Sequence, residues 1–176
     1  MTSGVAVHIR RGVVADAGDL AGFAARTFAE TFGADNRPED LAAHLAASYG
    51  IAQQTRELSR DDEITLLAHQ QAALVAYAQV RRSPPPACVA SLQPVELHRF
   101  YVDRPAHGHG VAQQLMAAVL EAAAELGGST LWLSVWERNP RAQAFYRKMG
   151  FADVGSTVFF VGPDPQTDRV MARPLA

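Results

Sequence analysis

Hydrophobic and polar residues alternate along this chain in two patterns, one typical of strands and the other typical of amphipathic helices. The first half of the sequence predicts a strand, two helices and a hairpin, at residues 7–13, 16–32, 38–49, 64–68 and 74–80. Asp16 and Asp19 open the first helix, and Pro38 suits the first turn of the second. A proline-rich segment at 83–94 follows, and its prolines disfavour regular pairing in a sheet.

The second half predicts a strand, a long helix, another strand, another helix and a final strand pair, at residues 95–102, 111–126, 131–136, 140–149, 157–161 and 169–173. Gly127-Gly128 ends the long helix and Gly150 ends the later one, after which Phe151 opens a strand. Strands that pair early and are connected by helices later predict an α/β fold with a mixed sheet. No repeat or long linker divides the chain, so we expect one domain over residues 1–176.

Composition narrows the function classes. A formal net charge of −2 gives no basic surface for nucleic acid, and no run of residues is apolar enough to span a bilayer. Cys88 is the single cysteine, which excludes an intrachain disulfide and fits a reducing compartment. The N-terminal residues lack the apolar core of a signal peptide, so we expect a cytoplasmic protein. No spacing typical of metal ligands occurs, so no metal is expected.

A glycine loop, R-P-A-H-G-H-G-V-A at 104–112, lies between a predicted strand and a predicted helix. Gly108 and Gly110 let the backbone approach a ligand closely, and the following helix presents free N–H groups and its positive dipole end. This arrangement suits a pyrophosphate. An ordinary strand-to-helix turn that needs glycine explains the loop equally well on its own.

A second segment, W-E-R-N-P-R-A-Q-A-F-Y-R-K-M-G-F at 136–151, favours the first interpretation. With the glycine loop it resembles the two cofactor motifs of the Gcn5-related N-acetyltransferase (GNAT) superfamily. His107, Gly110 and Ala112 occupy the defined positions of the motif Q/R-x-x-G-x-G/A. His107 departs from the usual Gln or Arg, and a neutral imidazole attracts phosphate less strongly.

Further segments at 28–33, 38–41 and 161–171 resemble the polyamine acetyltransferase branch, the PaiA-type proteins. The resemblance implies a mixed sheet with two splayed parallel strands and a bound acetyl-CoA as co-substrate. It implies contacts to that co-substrate from Tyr101, Val102, His107, Gly108, His109, Gly110, Val111, Ala112 and Asn139, and the charges of Arg141 and Lys148 could meet its phosphates. Asn139 is equally well explained as a helix cap, and the two cationic residues as solvated surface charges.

Transfer of an acetyl group from a thioester to an amine needs a base for the amine and an acid for the departing thiol. Tyr146 falls on the tyrosine of the family motif, beside the thioester sulfur, and is the predicted acid; the alternative is simple packing on a helix face. Glu96 is the predicted base. His98 is the alternative base, and a salt bridge is the alternative role for Glu96.

Strand alternation predicts that Glu96, His98, Phe100 and Val102 share one face of their strand, with Leu97, Arg99 and Tyr101 on the other. A group of acidic residues lies in the early helices and could pair with a polycation or simply be solvated: Glu30, Asp35, Glu39 and Asp40. The segment 166–168 predicts only a turn before the last strand.

The sequence therefore predicts an acetyl-CoA-dependent N-acetyltransferase acting on a small-molecule primary amine, with a polyamine such as spermidine implied by the branch. Acetylation of protein N-termini or of another small amine is the alternative within the enzyme class. A non-catalytic acyl-CoA sensor is the alternative outside it. Many relatives with this fold are dimers, so a homodimer is one expected assembly, although the sequence leaves the oligomeric state open.

Overall fold

The computed structural model describes residues 6–176, which contain one seven-stranded sheet and five α-helices. The strands are β1 Val7–Arg11, β2 Glu63–Gln70, β3 Ala73–Arg81, β4 Pro94–Val102, β5 Thr130–Trp136, β6 Ala152–Val161 and β7 Asp164–Pro174. The helices are α1 Ala17–Phe32, α2 Pro38–Ser48, α3 Ile51–Leu58, α4 Val111–Glu125 and α5 Pro140–Lys148. Within these residues no helix is both long and apolar enough to cross a membrane.

The sheet has the strand order β1-β2-β3-β4-β5-β7-β6, and only β4 and β5 run parallel to each other. Their ladder covers three positions, Pro94–Glu96 against Thr130–Trp132, and then stops. The two strands separate beyond this point, so that among residues 6–176 the edge of β4 that faces β5 has no ladder partner after Glu96. The prediction of a mixed α/β sheet with splayed parallel strands is confirmed.

Helices cover both faces of the sheet. One core contains α4 and α5, where Leu115 and Met116 pack with Val80 and Leu97 of the strands. The opposite core contains α1, whose Leu20 and Phe28 pack with Leu67, Tyr77 and Val161. We call the first the α4 face and the second the α1 face.

A β-bulge in β4 overturns the predicted alternation. Gln79 of β3 lies opposite Arg99, but Val80 lies opposite Leu97, so His98 is an extra residue in its strand. Leu97 consequently packs in the core of the α4 face, together with Phe100. Glu96 shares the α1 face with Arg99 and Tyr101 instead of the face of Phe100.

Two further elements differ from the sequence prediction. Helix α3 was not predicted, because its buried positions are the polar Gln54 and Glu57 and therefore give no apolar periodicity. The segment 166–168 is extended strand within β7, so the predicted turn was wrong. The chain turns earlier, at Gly162, whose φ of +58° lies in the left-handed region.

Candidate active site

Two cavities, each of about 380 Å³, lie where β4 and β5 diverge. The loop cavity lies between α1, the end of β4, the glycine loop and α5. The aromatic cavity lies on the α1 face, over β4, β5 and β7. Six residues line both cavities: Thr31, Phe100, Tyr101, Asn139, Ala142 and Tyr146. The two spaces therefore meet at a single junction.

The glycine loop has the backbone geometry that a close-lying anion requires. Gly108 and Gly110 both have φ of +80°, and Gly110 is the residue that precedes the first turn of α4. A Cβ at Gly108 would meet no atom within 4 Å, so this side of the loop is open. Val111 is fully buried in the core, and only its backbone N–H can contribute to the loop.

His107 fastens this loop to the sheet. Its Nε2 lies 2.7 Å from the carbonyl oxygen of Val102 at the end of β4. In the tautomer with a proton on Nε2, the imidazole donates to that carbonyl and leaves Nδ1 as an acceptor. His107 thus positions the loop.

Six of the residues predicted to contact the co-substrate line the loop cavity: Tyr101, Val102, His107, Ala112, Asn139 and Arg141. Asn139 caps α5, since its side-chain oxygen accepts the backbone N–H of Ala142 at 3.2 Å. Lys148 is not brought to this cavity. It lies exposed at the opposite end of α5, seven residues or about 10 Å beyond Arg141.

Tyr146 occupies the junction of the two cavities. Its side chain is 8% exposed and contacts the rings of Phe100, Phe145 and Phe151 at centroid distances of 5.5 to 6.2 Å. Burial raises the pKa of the phenol above its usual value of 10.0, so the hydroxyl carries its proton at neutral pH. The residue can donate a proton toward either cavity.

Glu96 is held in an ion pair, which is the alternative role that the sequence allowed. Its Oε2 accepts from Arg81 Nε at 2.7 Å, and its Oε1 lies 3.4 Å from Nδ1 of His98. Burial alone would raise the pKa of Glu96, but His98 and Arg81 outweigh it and lower the pKa to about 2. Burial lowers the pKa of His98, so its imidazole is neutral at pH 7.

Aromatic rings line part of the aromatic cavity, beside charged and polar side chains. Phe32 packs on Trp136 with ring centroids 5.5 Å apart, and His44 lies at the same distance from Phe159. The four acidic residues proposed from the sequence do not line this cavity; Glu30 lines the loop cavity and pairs with Arg26 at 3.1 Å. The acidic residues that the sequence offered for a polycation are therefore not the carboxyl groups of this cavity.

Asp168 is the acidic residue that the sequence analysis missed. It lies in β7 opposite Trp136, is 5% exposed and lines the aromatic cavity. Its Oδ1 is buried and has no hydrogen-bond partner among the described residues. Burial raises the pKa to about 6; Ser134 lowers it by hydrogen bonding, and the charge of Glu137 raises it. One signal in the sequence could have revealed it. Asp168 and Val170 lie two residues apart, so they share one face of the sheet if the segment is a strand.

These groups suit transfer between two ligands that meet at Tyr146. The loop cavity is bordered by His107 and Ala112 at the two ends of the glycine loop, and the aromatic cavity is lined by the imidazole of His98, which lies beside the carboxylate of Glu96. Among residues 6–176, no group of three or more His, Cys, Asp or Glu side chains could hold a metal ion.

Known proteins are similar to this chain in sequence and in architecture. The family model described as acetyltransferase (GNAT) family matches residues 24–151. An uncharacterised N-acetyltransferase of Mycobacterium bovis is 35% identical over 160 residues, which are 91% of this chain and 98% of that protein. A GCN5-related N-acetyltransferase structure from Rhodopseudomonas palustris has a TM-score of 0.75 at 18% identity, with 99% of each chain covered.

A PaiA N-acetyltransferase from Thermoplasma acidophilum, solved in complex with coenzyme A, has a TM-score of 0.74 at 18% identity. The alignment covers 96% of this chain and 99% of that one. Identity this low shows a shared fold and leaves the PaiA branch open. The family model covers most of the chain, however, and the mycobacterial relative matches nearly its full length. The chain therefore belongs to the acetyltransferase (GNAT) family and is an acyl-CoA-dependent acetyltransferase.

Proposed function

We propose that this enzyme transfers an acetyl group directly from acetyl-CoA to a primary amine. The observation that carries the proposal is the meeting of the two cavities at Tyr146. The loop cavity ends at an anion-binding loop, and the aromatic cavity approaches the same side chain from the other side. Direct transfer requires both ligands to be present at once, and this arrangement gives each its own space.

The loop cavity fits acetyl-CoA. The open backbone at Gly108 and the free N–H groups at the start of α4 suit the pyrophosphate, and Arg141 adds a positive charge nearby. Unpaired backbone of β4 near Tyr101 suits the amide groups of the pantetheine arm. When bound, the co-substrate supplies an acyl carbon and a thiol leaving group.

Tyr146 is the proposed acid for the departing thiol. The high pKa of its phenol keeps the proton available over the neutral range. A thiolate buried in the same place would also be destabilised, because burial raises the pKa of a thiol as well.

His98 is the proposed base, and Glu96 positions it. A carboxylate with a pKa of about 2 is too weakly basic to take a proton from an ammonium group. A neutral imidazole is a much better acceptor. Nδ1 of His98 lies 3.4 Å from Oε1 of Glu96, so the tautomer with its proton on Nδ1 faces the carboxylate and leaves Nε2 free to receive the proton.

A polyamine such as spermidine is the acceptor implied by the PaiA-type motifs. Support for it is limited to those motifs and to the shared fold of the PaiA structure from Thermoplasma acidophilum. Of the two carboxyl groups that line the aromatic cavity, Glu96 is already neutralised by Arg81. The cavity therefore favours one ammonium group on an apolar body over several spaced charges.

The test is thiol release from acetyl-CoA with spermidine, 2-phenylethylamine, L-lysine and a short N-terminal peptide offered separately. Saturable release with any of these amines supports the proposal. Replacing Tyr146 with Phe should lower kcat by about a hundredfold or more, while calorimetry shows unchanged acetyl-CoA affinity. Wild-type turnover in the Phe variant would show that Tyr146 is not the acid. Absence of acetyl-CoA binding would overturn the proposal as a whole.

A further inference from the structure

The aromatic cavity contains a carboxyl group that the protein itself does not satisfy. Asp168 is 5% exposed, and its Oδ1 has no hydrogen-bond partner within residues 6–176. A buried polar atom without a partner costs free energy, and proteins keep few of them. The position of this one in a cavity of about 380 Å³ indicates that a ligand atom completes it.

The other charges around the cavity are already compensated. Glu96 pairs with Arg81 at 2.7 Å, and Arg99 pairs with Glu57 at 2.6 Å. Within residues 6–176 no cation forms an ion pair with Asp168; the neighbouring charge is that of Glu137, which is also negative, and Ser134 offers only a hydroxyl. A bound cation is therefore the complement that Asp168 lacks.

The surroundings of Asp168 set the chemistry of the rest of the ligand. Asp168 in β7 is paired with Trp136 on the neighbouring strand β5, and the ring of Trp136 packs on Phe32. Phe159 and His44 continue the same aromatic wall. Rings of this kind attract a cation at their faces and exclude water from an apolar substituent.

We propose that Asp168 binds the ammonium group of the acceptor, and that the acceptor is a primary amine with one positive charge and an aromatic or branched apolar body. This inference rests on the proposed function. The ammonium group has three N–H bonds, of which one is donated to Asp168 and one loses its proton to Nε2 of His98. The neutral amine then remains hydrogen-bonded to Asp168 while its lone pair is free to attack.

Two other acceptor types fit less well. The second and third charges of a polyamine would need further carboxylates, and the other carboxyl group that lines the cavity within residues 6–176, Glu96, is already paired with Arg81. The carboxylate of a free amino acid would have to compete for guanidinium groups that are already paired, or lie near Asp168.

The experiment is calorimetric titration of 2-phenylethylamine, and separately of spermidine, into the protein saturated with coenzyme A. Wild type should bind 2-phenylethylamine more tightly than spermidine. Asp168→Asn should weaken the binding of 2-phenylethylamine at least about tenfold, because a charge-assisted hydrogen bond is lost. Asp153→Asn is the matched control: it removes a carboxylate of the same sheet, paired with Arg169 outside the cavity, and should leave amine binding unchanged.

Turnover then gives a second readout. Asp168→Asn should raise the KM for the amine with a smaller change in kcat and no change in the KM for acetyl-CoA. Asp168→Glu keeps the charge but displaces it by one methylene, and should fall between Asn and wild type. It also serves as the test if the Asn variant does not fold.

The outcomes separate this inference from the proposed function. Equal binding of 2-phenylethylamine by wild type and Asp168→Asn would overturn the role of Asp168. Tighter binding of spermidine, or turnover of the peptide alone, would overturn the apolar monoamine. Binding of coenzyme A without binding of any amine would also overturn the inference. Absence of acetyl-CoA binding would instead overturn the proposed function.

Discussion

Glu57 and Asp168 are both buried carboxyl groups, 4% and 5% exposed, but their surroundings are opposite. Glu57, on α3, accepts hydrogen bonds from Arg99 at 2.6 Å, Gln79 at 3.0 Å and Gln53 at 2.8 Å. Although burial raises its pKa, these partners lower it below the usual value. Asp168 lacks such partners, and burial raises its pKa to about 6.

The contrast separates two uses of buried charge. The Glu57 cluster joins α3 to the middle of the sheet through Arg99, and its members satisfy one another. A network of this kind fixes structure, and breaking it is costly. Asp168 does not stabilise the folded protein in this way. Burying its carboxylate costs free energy, and a bound cation would offset that cost, as expected of a binding residue.

The largest effect should come from breaking the satisfied cluster. Glu57→Leu leaves Arg99 as a buried cation without its ion-pair partner and should lower the free energy of unfolding by about 3–5 kcal/mol. Urea unfolding followed by circular dichroism measures it. A change smaller than about 1 kcal/mol would mean that Arg99 finds other acceptors, and the contrast with Asp168 would lose its basis.

Asp168→Asn should act in the opposite direction on stability. The carboxyl keeps its proton up to about pH 6 in the folded protein but only to its usual pKa of 3.8 when unfolded. The folded state therefore binds more protons between these values, so wild-type stability falls as pH rises through that window and then levels off. At pH 8 the Asn variant should be more stable by up to about 3 kcal/mol.

Unfolding curves at pH 4 and pH 8 test this sign. The advantage of the Asn variant should nearly vanish at pH 4, where the wild-type carboxyl is protonated in the folded state and partly protonated in the unfolded one. A variant less stable than wild type at pH 8 would show that Asp168 has a stabilising partner in solution.

Glu96 lies between the two extremes, since it is paired but lines the cavity. Glu96→Gln should lower kcat at least about tenfold, because the negative charge 3.4 Å from Nδ1 of His98 is lost. The carboxylate raises the pKa of His98, so its removal should also move the acid limb of the kcat profile to lower pH. A limb that stays in place would argue against His98 as the base.

The smallest effect should come from a carboxylate at the surface. Glu39 pairs with Arg37 at 2.5 Å, but both side chains are well exposed to solvent. Glu39→Gln should leave the urea midpoint almost unchanged, because exposed pairs are screened by water and salt. A clear loss of stability would mean that ion pairing alone, without burial, explains the behaviour of Glu57.

The sequence predicted best what short segments determine. Glycines at 108 and 110 and the Asn139-Pro140 pair located the loop and the start of α5, because conformation there depends on the residues themselves. The sequence predicted poorly those features whose conformation depends on a partner strand or helix. The buried polar residues of α3 are stabilised by Arg99 of β4, and the bulge at His98 is defined by the pairing of β4 with β3.

Asp168 was missed for the same reason. Its segment contains residues that favour turns, and only the pairing of β7 with β5 makes it a strand that brings the carboxyl to the cavity. The acidic residues of the early helices were more conspicuous in the sequence. None of the four lines the aromatic cavity: Glu39 lies exposed in the first turn of α2, Asp40 is buried beside it, and Glu30 pairs with Arg26 at the loop cavity.

The extra residue in β4 has a consequence for how this enzyme can tolerate insertions and deletions. Removing His98 would join Leu97 to Arg99 and restore unbroken pairing with β3, while both residues keep their present partners and faces. The strand would lose the imidazole beside Glu96, but Glu96, Arg99 and Tyr101 would stay on the α1 face. A residue removed or added elsewhere in β4 would instead turn one half of the strand over, so the bulge is the place in β4 where the fold absorbs a change of length.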